Sequence, residues 1–342
     1  MTTLLKRPAR TATGSTALDL ALRFRAIGLL LALAVLVAAT TAVNPGFLGA
    51  QSVRDMLFAA AITVLLATGM TAVVLTRGID LSVGSVLGLS AYLTASLLSE
   101  TGTPIVLALL AGLGIGAVCG AANGAIVHFG KVPPLVATLG TLYIVRGIVY
   151  FAAGGSRVNA SDLPTGFLDF GTGAVLGVPY LFMISLVVLI AVAVFLAGTR
   201  SGRDLYALGS NPEGARLTGV KAGRRLMTAY VLCGALAGLG GVLHAARFGT
   251  VDASAGYGLE LTIVAAVVVG GVAIFGGSGT VLGAGLGALL LAVINNALPV
   301  LRIDQFWQQA IVGALILAAI ALDRLVGLRA ARALRRKGSH VE

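Results

Sequence analysis

The chain has 342 residues, 58% of them hydrophobic and only 11% charged, with 24 Lys and Arg against 13 Asp and Glu. Soluble domains carry roughly 25% charged residues, so most of this chain cannot face water. The net charge of +11 does not indicate nucleic acid, because the basic residues gather at the two ends and in one central stretch instead of on a folded polar surface.

A bilayer core takes about 20 apolar residues of helix. On that measure the chain divides into a basic N-terminal segment, 1–25, a membrane domain, 26–323, and a basic tail, 324–342. The first apolar run, 26–43, is long and lacks a convincing small-residue cleavage site, so it is expected to stay as a transmembrane helix. Further spans are expected at 57–76, 83–98, 104–127, 135–153, 179–197, 227–246, 261–275, 280–299 and 306–322. The third and eighth are short and the Gly-rich fourth has the composition to break in two, so the expected count is ten, bracketed by nine and eleven.

Between the second and third spans runs Gly78-Ile79-Asp80-Leu81-Ser82-Val83-Gly84, with Arg77 just ahead of it. Asp80 at a membrane boundary reads first as a helix cap, otherwise as a partner of Arg77 or a proton-coupling acid. Cys119 and Cys233 sit in Gly/Ala-rich runs and read as packing residues. Asn123, Arg146, Asn295 and Asn296 fall inside predicted spans. Each is a candidate for helix–helix hydrogen bonding or for lining a hydrophilic path, with packing the simpler role for the asparagines. Pro133-Pro134 marks a rigid start to the fifth span, and Trp307 reads as an interfacial anchor.

The polar stretch 198–225 is the longest basic interruption among the spans. Within it Asn211 is placed to cap a short helix, with Pro212 in its first turn and Glu213 near its positive end. Gly214, Ala215, Arg216, Leu217 and Thr218 continue that helix and Gly219 stops it. A capped helix between two spans suits a groove on a partner; an ordinary surface loop is the plainer alternative.

Ten crossings from an N-terminus inside place all but five of the 24 basic residues on one side, the exceptions being Arg54, Arg146, Arg157, Arg247 and Arg302. Both termini are then cytoplasmic. Residues 80–98 and 277–291 each follow an apolar segment and open on a Gly/Ser-containing break, which a repeat or shared glycine-rich composition would each produce. Lys6, Lys131, Lys221 and Lys337 are followed by Arg, Val, Ala and Gly, never Ser or Thr, so no P-loop exists to hydrolyse a nucleotide. His128, His244 and His340 are scattered, and no catalytic or metal-ligating constellation emerges.

Four motifs, GIDLSVGS (78–85), VPPLVATLGTLYIVRG (132–147), YALGSNPEGARLTGV (206–220) and GGVAIFGGSGTVLGAGLGALLL (270–291), occur in one order. In this the chain resembles the permease subunits of bacterial monosaccharide ABC importers over about residues 26–323. The resemblance implies an all-α polytopic protein of the bacterial cytoplasmic membrane without a cofactor. It also implies cytoplasmic ABC ATPase subunits, an extracytoplasmic sugar-binding protein and a second permease, self or sister, as partners beside membrane lipid. The family's ATPase-contacting pattern falls on Asn211, Pro212, Ala215 and Gly219, with Gly214 departing from the Ala common in relatives. Its GIDLSVGS motif falls on Gly78, Asp80, Ser82 and Gly84. On the outer face Arg157, Asp162, Asp169, Asp252 and Glu260 are the candidate charges for docking the binding protein. The ending 301–323 is similar to rhamnose-type and autoinducer-2-type permeases. An ion-coupled secondary transporter and a branched-chain amino acid permease are the competing readings.

Overall fold

The computed structural model describes residues 13–304, 306–319 and 321. The basic residues Lys6, Arg7 and Arg10 and the predicted tail 324–342 lie outside the described residues. Hydrocarbon offers a backbone no hydrogen-bond partner, so a chain this apolar satisfies its N–H and C=O groups within helices.

The helices are α1 (Thr13–Val43), α2 (Ala50–Leu75), α3 (Val83–Thr101), α4 (Ile105–His128), α5 (Pro134–Ala153), α6 (Thr165–Thr172), α7 (Tyr180–Gly198), α8 (Arg200–Ser210), α9 (Pro212–Leu217), α10 (Ala222–Phe248), α11 (Leu259–Val269) and α12 (Val281–Val300). A last stretch, Trp307–Ala319, forms α13. A two-residue hairpin, β1 (Ala174–Val175) and β2 (Val178–Pro179), is paired antiparallel beside α7. Each predicted span overlaps one of these helices. Six of them, α2, α4, α5, α7, α10 and α12, are long and apolar enough to cross a membrane, whereas Ile27–Val43, α11 and α13 are shorter apolar helices. The structure is therefore an all-α polytopic membrane architecture.

Burial separates centre from periphery. In α2, 83% of the apolar window is buried, against 22% in α4 and 28% in α5 and α7. The outer helices present Val106, Leu110 and Val118, Ile144 and Phe151, and Val187 and Ile190 outward, a surface suited to lipid or another membrane subunit.

The fourth span is one continuous helix, α4, and its glycines serve a close crossing instead of the break that their number also allowed. Gly112, Gly116 and Gly120 face Gly238, Gly234 and Tyr230 of α10; a Cβ on Gly116 would stand 2.0 Å from the Gly234 carbonyl oxygen. A second seam joins α11 to α12, where a Cβ on Gly287 would lie 2.1 Å from the carbonyl of Ala266. Without a hydrophobic drive between helices in lipid, such backbone approach supplies the contact.

Two breaks meet at one end of the bundle. After α2, Arg77 takes a left-handed φ of 68°, and the Gly78 N–H closes the helix on the Val73 carbonyl at 3.1 Å. After α11 the chain turns through left-handed Gly276 and Gly277, and the Gly277 N–H donates to the Leu75 carbonyl at 2.9 Å.

At the opposite end the chain leaves α10, pairs Val251 with Val158, and then folds back into the bundle. Residues 253–258 reach the start of α3: a Cβ on Gly84 would lie 2.5 Å from the Gly256 carbonyl, and one on Gly88 would lie 2.4 Å from that of Ala255. At 1.5 Å per residue, Gly84 is about 25 Å below the far end of α3. This re-entrant segment explains the shortness of α11, which starts inside the bundle and not at its end.

Candidate functional site

The stretch 198–225 is more ordered than a loop. Thr199 caps α8 by accepting from the Gly202 N–H at 3.0 Å, and Leu205 and Leu208 turn inward. Sequence reasoning did not anticipate α8, because Gly202 and Gly209 look like helix breakers. Both are close-approach glycines: a Cβ on Gly209 would stand 1.8 Å from the Leu75 carbonyl. The inward pair Leu205 and Leu208, three residues apart after a Thr cap, was the available signal.

The expected short helix is present as α9. Asn211 Oδ1 accepts from the Gly214 N–H at 3.0 Å, Pro212 fills the first turn with Glu213, and Gly219 leaves with a φ of 82°. Ala215 is buried and holds α9 to the body, while Asn211, Glu213, Arg216 and Leu217 are exposed, Leu217 at 90%. A Cβ on Gly214 would meet Asn211 Nδ2 at 3.0 Å, so the departure from Ala makes room for the cap.

The α8–α9 unit is tied to both breaks. Arg77 donates from Nε to the Gly209 carbonyl at 2.5 Å and from Nη2 to the Ser210 carbonyl at 2.9 Å, answering the unsatisfied carbonyls at the end of α8. Tyr206 donates its hydroxyl to the Gly279 carbonyl at 3.0 Å. Arg225 returns the chain to α8 through Asp204 at 2.8 Å and Ser201 at 2.7 Å. One unit thus touches the links between α2 and α3 and between α11 and α12.

Arg77 is therefore not the partner of Asp80. Buried Asp80 accepts from the Ser82 N–H at 2.9 Å and from the Ser82 hydroxyl at 2.6 Å. This closes a turn ahead of α3 and does not cap it, because Ser82 is the N-cap residue and no side chain among the described residues bonds the first helical N–H groups. Asn123 on α4 donates to Ser82 Oγ at 2.8 Å and reaches Asp80 at 3.3 Å, and Thr141 on α5 donates to Asn123 Oδ1 at 2.7 Å. Thr138 adds a bond to the Ile79 carbonyl at 2.9 Å. A polar knot thus binds the α2–α3 break to α4 and α5. Gly78 sits under Tyr230, whose hydroxyl would lie 2.7 Å from a Cβ there.

The other intramembrane polar residues do not join this knot. Buried Arg146 grips the re-entrant segment, donating from Nη1 to the carbonyls of Ala253 at 3.0 Å and Ala255 at 2.8 Å. Asn296 bonds back to Ala292 of its own helix at 2.8 Å, and Asn295 Oδ1 is buried with no partner among the described residues. Cys119 and Cys233 are free thiols.

At the end opposite α8–α9, Arg157, Asp162, Asp169 and Asp252 are exposed. The Asn159 N–H at 3.2 Å and the Ser161 hydroxyl hold Asp162 below the ordinary carboxylate range. The Ser254 hydroxyl at 2.6 Å and N–H at 2.7 Å do the same for Asp252. Glu260 stands apart from this group: it is half-buried, and a Cβ on Gly84 would lie 2.5 Å from its Oε2. Here a cavity of about 710 Å³ opens between the start of α2, the end of α10 and the re-entrant segment. Its wall includes Asp55, His244, Arg247 and Tyr257, which sequence reasoning did not single out. Opposite charges flanking the outer ends of two spans were the only signal.

Over residues 52–320 the chain matches the family described as branched-chain amino acid transport system / permease component. It is 38% identical over 301 residues to the ribose import permease protein of Escherichia coli (strain K12), covering 86% of this chain and 92% of the relative. It is 34% identical over 295 residues to the D-allose transport system permease protein of the same strain, covering 86% and 90%. The autoinducer 2 import system permease protein of Salmonella typhimurium (strain LT2) is 38% identical over 308 residues, covering 90% and 88%. No solved structure matches the chain.

Proposed function

Because this chain belongs to the ABC importer permease family that includes the ribose, D-allose and autoinducer 2 permeases, we propose that it carries a monosaccharide or similar polyol-like solute across the bacterial inner membrane. It is a transport subunit and not an enzyme; ATP hydrolysis lies in partner subunits, and a substrate-binding protein is the other general partner of such permeases. The finer reading is a permease domain of ten crossings over residues 26–323, flanked by cytoplasmic segments 1–25 and 324–342 and working with a second permease, self or sister. Charge supports that orientation. Arg77, Lys131, Arg200, Arg203, Arg216, Lys221 and Arg224 lie at the α8–α9 end, since the end of α4 meets the start of α10 at His128 and Gly223. Arg157, Asp162 and Asp169 at the far end are then the surface for the binding protein, with Asp252 set in the wall of the neighbouring cavity.

One observation carries the mechanism: α9 is capped and exposed on one side while the same unit is hydrogen-bonded through Arg77 and Tyr206 to both breaks. Closure of the ATPase pair pushes α9, and Arg77 and Tyr206 pass the displacement to α3 and α12, opening one end as the other closes. Asn211, Pro212, Glu213, Ala215, Arg216 and Gly219 form the coupling element. The test is a pull-down from solubilised membranes with wild type and with 211–219 replaced. Loop-dependent recovery of a P-loop ATPase is expected; equal recovery from both proteins would reject the docking role. The description of the matched family makes a branched-chain amino acid the second reading, which leucine uptake by the assembled importer would favour.

A further inference from the structure

The cavity at the end opposite α8–α9 combines exposed aromatic rings with carboxylate and hydroxyl side chains. Tyr257 stands between Gly256 and Gly258, whose left-handed φ values of 75° and 79° turn the backbone so that the ring projects, 77% exposed. Arg146 holds the segment from beneath, with its guanidinium 5.8 Å from the Tyr257 ring. Phe248, 61% exposed, offers a second aromatic surface in the same wall. Asp252 takes two hydrogen bonds on Oδ1 from Ser254, which orients the carboxylate and leaves Oδ2 as an acceptor.

The charges decide among solutes. Arg247 in the wall stacks over the Phe58 ring at 3.8 Å and lies 3.9 Å from Asp55, so part of its charge is offset by a neighbouring carboxylate. Asp55 and Asp252 disfavour an anion, and Arg247 offsets them, so the wall has no strong preference for a cation. Exposed aromatic faces beside an oriented carboxylate suit a ring that stacks and donates hydroxyls. The volume, about 710 Å³, falls within the range of small-molecule pockets and leaves room for water around a single sugar ring.

We infer that Tyr257 and Asp252, with Phe248 in the same cavity wall, form an outward-facing subsite where a monosaccharide released by the binding protein stacks and hydrogen-bonds before it descends toward Glu260 and Gly84. This rests on the sugar-importer reading above.

The experiment reconstitutes the permease with its ATPase and binding protein in proteoliposomes. Uptake of labelled ribose, allose, xylose, rhamnose and leucine is measured beside binding-protein-stimulated ATP hydrolysis, for wild type, Tyr257→Ala, Tyr257→Phe and Asp252→Asn. Expected is sugar uptake by wild type, a loss of about tenfold in Tyr257→Ala and Asp252→Asn with stimulated hydrolysis kept within about twofold, and near-normal uptake in Tyr257→Phe. Wild-type uptake in Tyr257→Ala overturns the subsite, as does a parallel loss of stimulated hydrolysis, which would make these residues part of the docking surface. Leucine uptake by wild type, or uptake of no sugar, overturns the sugar reading itself whatever the variants do. Ser254→Cys gives a measurement independent of those substitutions. A membrane-impermeant thiol reagent added outside should label it and block sugar uptake; no labelling, or labelling without effect, overturns the subsite.

Discussion

Asn123 shows how much one buried side chain is asked to do. Its amide donates to Ser82 and Asp80 and accepts from Thr141, so it joins α4 to the α2–α3 break and to α5. Asn123→Ala leaves the Asp80 carboxylate short of a donor and the Thr141 hydroxyl without its acceptor on α4. A buried group left unsatisfied costs about 1–3 kcal/mol. The purified variant should therefore melt in detergent roughly 1–4 °C below wild type. An unchanged melting temperature would mean that water replaces the amide. The residues of this knot were visible in the sequence as polar interruptions of apolar runs. Their partners were not, since Asp80 and Asn123 are brought together only by the packing of α3 against α4.

At the scale of elements, the seam between α4 and α10 and the cap of α9 make opposite demands. The seam needs absence of side chain. Gly116→Leu would drive a branched group into the Gly234 carbonyl, which belongs to a helix backbone and cannot rotate away. Overpacking of this kind costs about 3 kcal/mol, and the helices must separate to relieve it. The variant is expected to be lost from the membrane fraction on an immunoblot, while Gly114→Leu, with open space at its Cβ position, should accumulate normally. The α9 cap needs a specific side chain. Asn211→Ala removes the bond to the Gly214 N–H, worth about 1 kcal/mol, which matters to a helix of six residues. Its expected signature is normal abundance with reduced binding-protein-stimulated ATP hydrolysis; full stimulation would show that the cap is dispensable for coupling.

For the molecule as a whole, the arrangement is a bundle with two unlike ends. One end carries α8–α9 and the two breaks, knit together by Arg77 and Tyr206. The other carries the re-entrant segment, the exposed acids and the cavity. Single cysteines at Glu213 and at Arg157 should react with an impermeant thiol reagent from opposite sides of the membrane, Glu213 only after permeabilisation. Reaction of both from the same side would refute the proposed orientation. The native thiols interfere little, because Cys233 is buried and Cys119 half-buried.

Composition, the ten apolar runs and the asymmetry of basic residues were sufficient to establish a helical membrane protein, because hydrocarbon solvation acts on local sequence and leaves helix as the outcome. The Asn211 cap was equally legible, since capping is decided by neighbours within four residues. Tertiary structure alone decided three other things. It showed that Gly202 and Gly209 serve close approach inside or beside α8 instead of ending it. It turned Arg77 away from Asp80, three positions on, toward carbonyls of α8 more than a hundred residues away. It also folded residues 253–258 back against α3, which placed Glu260 inside the bundle and made a cavity at Tyr257. Each depends on backbones meeting across long sequence separations, and glycine, which permits such meetings, carries no side-chain pattern that names its partner.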